Sequence, residues 1–429
     1  MIKKIQSLFS GFQKDNIIRL SVKNLDDLKY FNTAKQIFIC FQNQNYKLKL
    51  VGGCVRKLIT EEKIDDMDIA INIEPEKIKK VLVEQKIKFV ETGIKYGTIT
   101  ALINDFKFEI TSLRKDLSTD GRHAKVEFTS NWEQDAQRRD FTINAIYSDI
   151  SGEVYDPLNG IEDLKNGIIK FIGDPNQRIQ EDYLRILRYL RFYTQYNKNK
   201  FHDEIAIKAI KRNLDGLAKI SKERILEELF KMMKLNNFSK LFEDEFCRFI
   251  ILSILPQLRN YNRIKILNKI SYKIKKQIDK ILLLSILIVD ETDNCNFFLY
   301  KYRLSNEDKK RILFIKNSFK NYSKQYLYSK KNLLKLTYLS DKSSVIELLI
   351  FLIFVNPKKI SNIENLIDYI KEKTIPEFPI NAKFLKEEFN FLEGKQLGDA
   401  LKKLEKQWLD NGFKIDKGNI KSLLNLKKI

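Results

Sequence analysis

The sequence predicts an α+β protein, with a mixed α/β head followed by an all-helical remainder. Three observations carry this. Ten of the 15 glycines lie at or before Gly173, and between residues 174 and 393 only Gly216 occurs. Short β-type runs bounded by turns or polar segments crowd residues 1–160. Beyond them Leu, Ile and Phe recur at three- and four-residue spacing with few breakers, the period of helices buried along one face.

Taken in order, helical patterns are expected at residues 28–42 and 75–85, and strands within LKLVGG, MDIAINI, KYGTITALI and FKFEITSL. Residues 133–145 read as helical, and residues 181–191 open the long helical region. Leu226, Leu229, Phe230 and Met233 form an amphipathic stripe that reads as core. The longest apolar runs, 281–289 and 348–355, fall far short of the ~20 residues that span a bilayer and read as buried helices. No repeat of fixed period and no low-complexity tract stands out.

A chain of 429 residues suggests two to four domains, and 43% hydrophobic residues suffice for ordinary globular packing. The formal charge of +22 points to a polyanionic partner, nucleic acid or an anionic membrane surface. Residues 1–160 hold 25 Lys and Arg against 23 Asp and Glu, whereas the rest holds 53 against 33. A nearly neutral front part is thus followed by a strongly basic one; lysine enrichment from codon bias does not explain that asymmetry. Cys40, Cys54, Cys247 and Cys295 show no C-x-x-C spacing, which argues against a disulfide framework or zinc site and for a reducing cytosol. The start, MIKKIQSLFSGF, lacks the apolar core of a signal peptide. A cytoplasmic protein without membrane attachment or obligate protein partner is therefore expected.

The chemistry begins at Leu50-Val51-Gly52-Gly53-Cys54-Val55-Arg56, a strand running through Gly-Gly into a helix. Such a turn lets backbone N–H groups approach a phosphate, although a Gly-Gly turn is more often only a turn. About a dozen residues later stands Asp65-Asp66-Met67-Asp68-Ile69-Ala70-Ile71. In a strand, Asp66, Asp68 and Ala70 face one way and Met67, Ile69 and Ile71 the other. Two carboxylates on one face can share divalent ions in phosphoryl transfer. A lone D-x-D usually marks a solvated edge, but here the opposite face is wholly apolar. Glu109, alternating with apolar residues in Phe106–Ile110, is a candidate third carboxylate or equally a surface glutamate.

Arg138 and Arg139 suit bidentate phosphate binding, while Asp135 and Arg139 also stand at ion-pair spacing. Asp182, Arg185, Arg188 and Arg191 step by three, so a charged helix face with internal ion pairs is one reading. The other is a base-reading pair, Asp182 with Arg185, flanked by phosphate-binding arginines.

In sequence order these segments resemble class II tRNA nucleotidyltransferases, the CCA-adding enzymes, and their bacterial poly(A) polymerase relatives. The match runs through GGCVR, DMDIA, TGIKYGTITA, DGRHAKVEF, RRDFTINAIY, DPLNGIEDL, IGDPNQRIQEDYLRILRYLRF and SKERILEEL. It covers roughly residues 45–235, with a weaker match in Phe378-Pro379-Ile380 and residues 394–408. The resemblance implies a polymerase-β-like head (1–160), a neck with the base-selecting helix (161–240), a body (241–370) and a tRNA-binding tail (371–429). It implies Mg²⁺ on Asp66 and Asp68, with Gly53, Arg56 and Arg139 holding the nucleotide. Asp182 and Arg185 would pair with the base of CTP or ATP, assisted by Arg188 and Arg191. Residues 221–229 would brace the neck. In the tail, Leu397, Ala400, Leu401, Leu404 and Trp408 mark one packed face, leaving Lys402, Lys403 and Lys406 for RNA backbone.

One residue departs from the family pattern: the position after Val-Arg usually holds an acid, and here it is Lys57. The expected reaction is untemplated addition of C, C and A to a tRNA 3′ end. The rivals are addition of A alone, poly(A) synthesis, and an inactive RNA-binding module. The segment from Arg114 to Arg138 looks full length, which disfavours C-only addition, and it is expected to help switch from C to A. An HD-type phosphohydrolase fails on inventory, because His123 and His202 are the two histidines of the chain.

Overall fold

The structure is a computed structural model and describes residues 20, 25–119, 124–199, 201–321 and 324–424. The segment MIKKIQSLFSGF, His123 and the start of DGRHAKVEF lie outside the described residues. The chain divides into two compact units, Met1–Ile254 and Leu255–Ile429.

In the first unit the head is built from α1 (Leu25–Gln42), β1 (Leu48–Val51), α2 (Gly53–Thr60), β2 (Met67–Ile71), α3 (Pro75–Glu84) and strands β3 (Lys88–Gly93), β4 (Thr98–Ile103) and β5 (Phe106–Ser112). A hairpin follows, β6 (Arg114–Thr119) and β7 (Ala124–Phe128), then α4 (Trp132–Gln137) and the short strands β8 (Tyr147–Ser148) and β9 (Val154–Tyr155). Seven strands form one sheet in the order β3-β4-β5-β2-β1-β8-β9. Every pairing in it is antiparallel except β2 with β5.

Period-two alternation divides the sheet's faces. Met67, Ile69 and Ile71 pack with Phe108, Ile110, α1 and α3 in one core, where Ala34, Phe38, Ile78 and Leu82 are buried. Ala70 instead joins Val51, Leu113, Ala136 and Tyr147 in a second, smaller core. Burial of this kind stabilises by about 25 cal/mol per Å² of apolar surface, so the alternation along β2 sets which way Asp68 faces.

A run of helices, referred to below as the neck, continues the same unit: α5 (Gly160–Asn166), α6 (Pro175–Glu181), α7 (Leu184–Tyr196), α8 (Glu204–Arg212) and α9 (Lys222–Met233). Local chemistry sets these boundaries. Asp174 caps the Gln177 N–H of α6, with Pro at its first turn, and Ser221 caps Arg224 of α9. Two expected helices are interrupted. Residues 133–145 do not run as one helix: α4 ends at Gln137, and Phe141 leaves it to bridge Phe171. Residues 181–191 break at Asp182, whose extended backbone (φ −154°) ends α6 and whose carboxylate caps the Leu184 N–H. Gly216, the lone glycine of the helical stretch, lies under the Tyr183 ring, where a Cβ would come within 1.9 Å of it.

The second unit is helical. The helices Lys280–Ile288 and Lys342–Val355 contain the two apolar runs and are buried along most of their length. Near its end the helix Lys395–Asp410 buries Leu397, Ala400, Leu404 and Trp408 and exposes Lys402, Lys403 and Lys406.

Phe141 joins the head to the neck. It is fully buried, with its ring 4.7 Å from Phe171, 5.5 Å from Phe192 and 6.3 Å from Tyr189. Phe141→Ala is expected to lower unfolding stability by about 3–5 kcal/mol, read as a shift of the denaturant midpoint.

Candidate active site

The carboxylates come together at the leading end of β2. Asp68 lies within the strand, paired with Val51 on β1 and in register with Glu109 on parallel β5. Register partners on adjacent strands share a face, so Asp68 and Glu109 point the same way. Asp66 sits one residue before the strand, on an irregular segment, with its side chain 71% exposed. Burial pushes the Asp68 carboxyl up to about 7, reinforced by Asp66 and Glu109 and opposed by Arg139 and Arg56. Asp68 and Glu109 share a face and Asp66 lies near enough to raise the Asp68 carboxyl, and carboxylate oxygens of this kind suit a hard divalent cation.

Beside them runs the Gly-Gly turn. Gly52 takes a left-handed φ of 71°, and a Cβ there would lie 3.6 Å from Arg139 Nη1. Gly53 opens α2, and its Cβ position is 3.9 Å from Asp66 Oδ1. Arg139 donates to Asp135 Oδ2 at 3.0 Å and to the Tyr147 hydroxyl at 3.2 Å. The i, i+4 pair with Asp135 is thus formed, alongside proximity to the aspartates. Asp135 is buried; against that penalty Arg139 and Arg138 hold its carboxyl well below the usual carboxylate range.

Arg56 is placed differently from an open phosphate ligand. It is buried, donating to the Tyr196 hydroxyl at 3.0 Å and to Asn144 Oδ1, with its guanidinium over the Phe192 and Tyr196 rings. It therefore ties α2 of the head to α7 of the neck.

The neck residues each find a protein partner. Asp182 accepts from Arg224 at 2.7 Å, and Arg185 donates to Glu181 and to the Arg178 carbonyl. Arg188 donates to Asp140 at 2.7 Å, and Arg191 to the buried Glu228 of α9. Asp182 lies before α7 rather than on it, so the four residues do not form one helical row. The pairs run mainly between elements, from α7 to the head and to α9.

Comparison with known proteins fits this arrangement. Residues 48–170 match the family described as Poly A polymerase head domain, and residues 203–260 the family described as probable RNA and SrmB-binding site of polymerase A. The chain is 33% identical over 410 residues to CCA tRNA nucleotidyltransferase 1, mitochondrial, of Homo sapiens, covering 91% of this chain and 89% of that one. It belongs to the CCA-adding tRNA nucleotidyltransferases.

A CCA-adding enzyme of Lactobacillus helveticus (strain DPC 4571) is 39% identical over 215 residues, half of this chain and 52% of that one. In fold, the chain resembles the crystal structure of the Bacillus stearothermophilus CCA-adding enzyme in complex with CTP. The TM-score is 0.70 at 23% identity, over 92% of this chain and 97% of that one. The protein is accordingly an enzyme, a tRNA nucleotidyltransferase with an α+β head.

Within this family member, sequence reading found the Asp135–Arg139 pair but missed Asp140, Asn144, Tyr147, Arg224 and Glu228 as groups that hold the named arginines and Asp182. Glu228 had a signal: it stands on the buried face of α9 among Ile225, Leu229 and Met232, at 1% exposure. An acid on an apolar stripe calls for a buried cation.

The raised Asp68 value has a stability consequence. Between its ordinary 3.8 and about 7, the folded chain keeps a proton that the unfolded chain releases, so stability falls as pH rises through that window. Asp68→Asn is expected to stabilise the EDTA-treated protein by on the order of 2–4 kcal/mol at pH 8. The gain should vanish toward pH 4, as checked by denaturant midpoints across pH.

Proposed function

We propose that the protein adds C, C and A in sequence to the 3′ end of tRNA, using CTP and ATP and no nucleic-acid template. The observation that carries this reading is the clustering of Asp66, Asp68 and Glu109 beside the Gly-Gly turn and Arg139. The human relative matched along nine tenths of both chains supports the tRNA substrate.

The 3′ hydroxyl of tRNA attacks the α-phosphate in line, and pyrophosphate leaves. Mg²⁺ held by Asp66 and Asp68 would supply charge neutralisation at the reacting phosphate. Arg139 faces the charge of the departing group from a fixed orientation, because Asp135 and Tyr147 pin its guanidinium. Gly53, at the N-terminus of α2, lets the chain pass close to the phosphates. Asp182 and Arg185 select the base, and to do so they exchange their contacts with Arg224 and Glu181 for the nucleotide edge. Arg188 and Arg191 support the helix that carries Arg185 through Asp140 and Glu228. Residues 1–160 serve as the catalytic head, 161–240 as the neck, 241–370 as the body and 371–429 as the tail. The basic residues behind the head hold the tRNA by phosphate contacts that weaken with salt.

A cytoplasmic location is part of the same proposal and is supported by the cysteines, all free. Among the described residues no helix is long and apolar enough to cross a membrane. The human relative is named as mitochondrial, and fractionation distinguishes the compartments.

The deciding assay supplies tRNA lacking CCA with labelled CTP and ATP. Incorporation of both nucleotides, stopping after three, is expected; A alone or long A tails would sink the reading. Asp66→Ala is expected to lower incorporation by about a thousandfold or more while leaving tRNA binding intact. Unchanged activity would remove the metal assignment.

A further inference from the structure

Asp66 is the least supported of the three carboxylates. Asp68 and Glu109 are held in the sheet ladder, whereas Asp66 stands on the irregular segment 62–66 that leads into β2. That segment is pinned at two backbone points by α1. The Ile64 N–H donates to Asp27 Oδ1 at 3.2 Å and the Met67 N–H to the Tyr30 hydroxyl at 3.1 Å. Between these two points lie Asp65 and Asp66. Lys57, in the last turn of α2, donates to Asp65 Oδ2 at 2.7 Å and lies 4.0 Å from Asp66 Oδ1. The lysine is 16% exposed while Asp65 and Asp66 are 74% and 71% exposed, so the lysine is the more buried partner.

We propose that Lys57 is a positioning residue that holds Asp66 for cation binding through its ion pair with Asp65. This rests on the metal assignment to Asp66 and Asp68. Lys57 acts through Asp65. It limits the sway of one exposed carboxylate, and groups around a ligand shell commonly govern affinity in this way.

Charge and position make opposite demands, which renders the idea decidable. Lys57→Met removes a positive charge next to a cation site, so electrostatics alone would tighten metal binding. Loss of positioning would weaken it. The experiment uses the full chain, with Mn²⁺ as the probe followed by electron paramagnetic resonance without nucleotide, and CTP incorporation measured separately. In Lys57→Met, Mn²⁺ affinity and kcat are each expected to fall about tenfold, with KM for CTP and the metal-free Tm unchanged. Lys57→Arg should recover both, as should the exchange of Lys57→Asp with Asp65→Lys. Mn²⁺ binding in Lys57→Met as tight as in the parent or tighter would overturn the proposal, and so would failure of the exchange to recover. Asp66→Ala serves as the control: if it too binds Mn²⁺ like the parent, the metal assignment itself has failed, and otherwise only the role of Lys57 has.

Discussion

The parallel pairing of β2 with β5 is the constraint on which the site depends. It is the single parallel contact in a sheet of otherwise antiparallel neighbours, and it sets Asp68 directly beside Glu109. A slip of one residue would turn one of the two carboxylates into the apolar core of Met67, Ile69, Phe108 and Ile110. Desolvating a charge there is far more costly than any single contact in the site. The core that α1 and α3 complete therefore enforces the register, and through it the chemistry.

A second layer of order comes from buried ion pairs. Asp135, Asp140 and Glu228 are almost fully buried, and each is matched by arginine. Burial works against their ionised forms, but the guanidinium groups keep all three below the usual carboxylate range. Removing one partner from such a pair leaves an uncompensated charge, so the pairs specify orientation more than they add stability. Arg139, Arg188 and Arg191 are thereby held in fixed orientations.

The fold was largely legible in the sequence because its signals are local and periodic. Alternation in MDIAINI and FKFEITSL marked β2 and β5, and the loss of glycine after Gly173 marked the helical region. The site was legible as residue types, since carboxylates two apart and paired arginines carry their chemistry wherever they fold. What stayed hidden was three-dimensional pairing. Spacing shows that Asp135 can reach Arg139, but not that Arg188 finds Asp140 across 48 positions or that Asp182 finds Arg224 across 42. The break at Asp182 was hidden as well, because an acid amid good helix formers reads as helix until its carboxylate caps the next turn.

Arg56 belongs to the first motif by sequence and to the head–neck joint by structure. Its guanidinium lies between Asn144 and the aromatic rings of Phe192 and Tyr196, so the helix after the Gly-Gly turn and the neck helix share one side chain. Modularity has a limit here. The head of this chain is not a separable cassette, because a head transplanted onto a relative's neck keeps a buried cation whose aromatic seat stays behind. Drift in α7 and drift around Gly52 are bound together in the same way, and exchange of parts among such enzymes would have to move the turn and the helix as one piece.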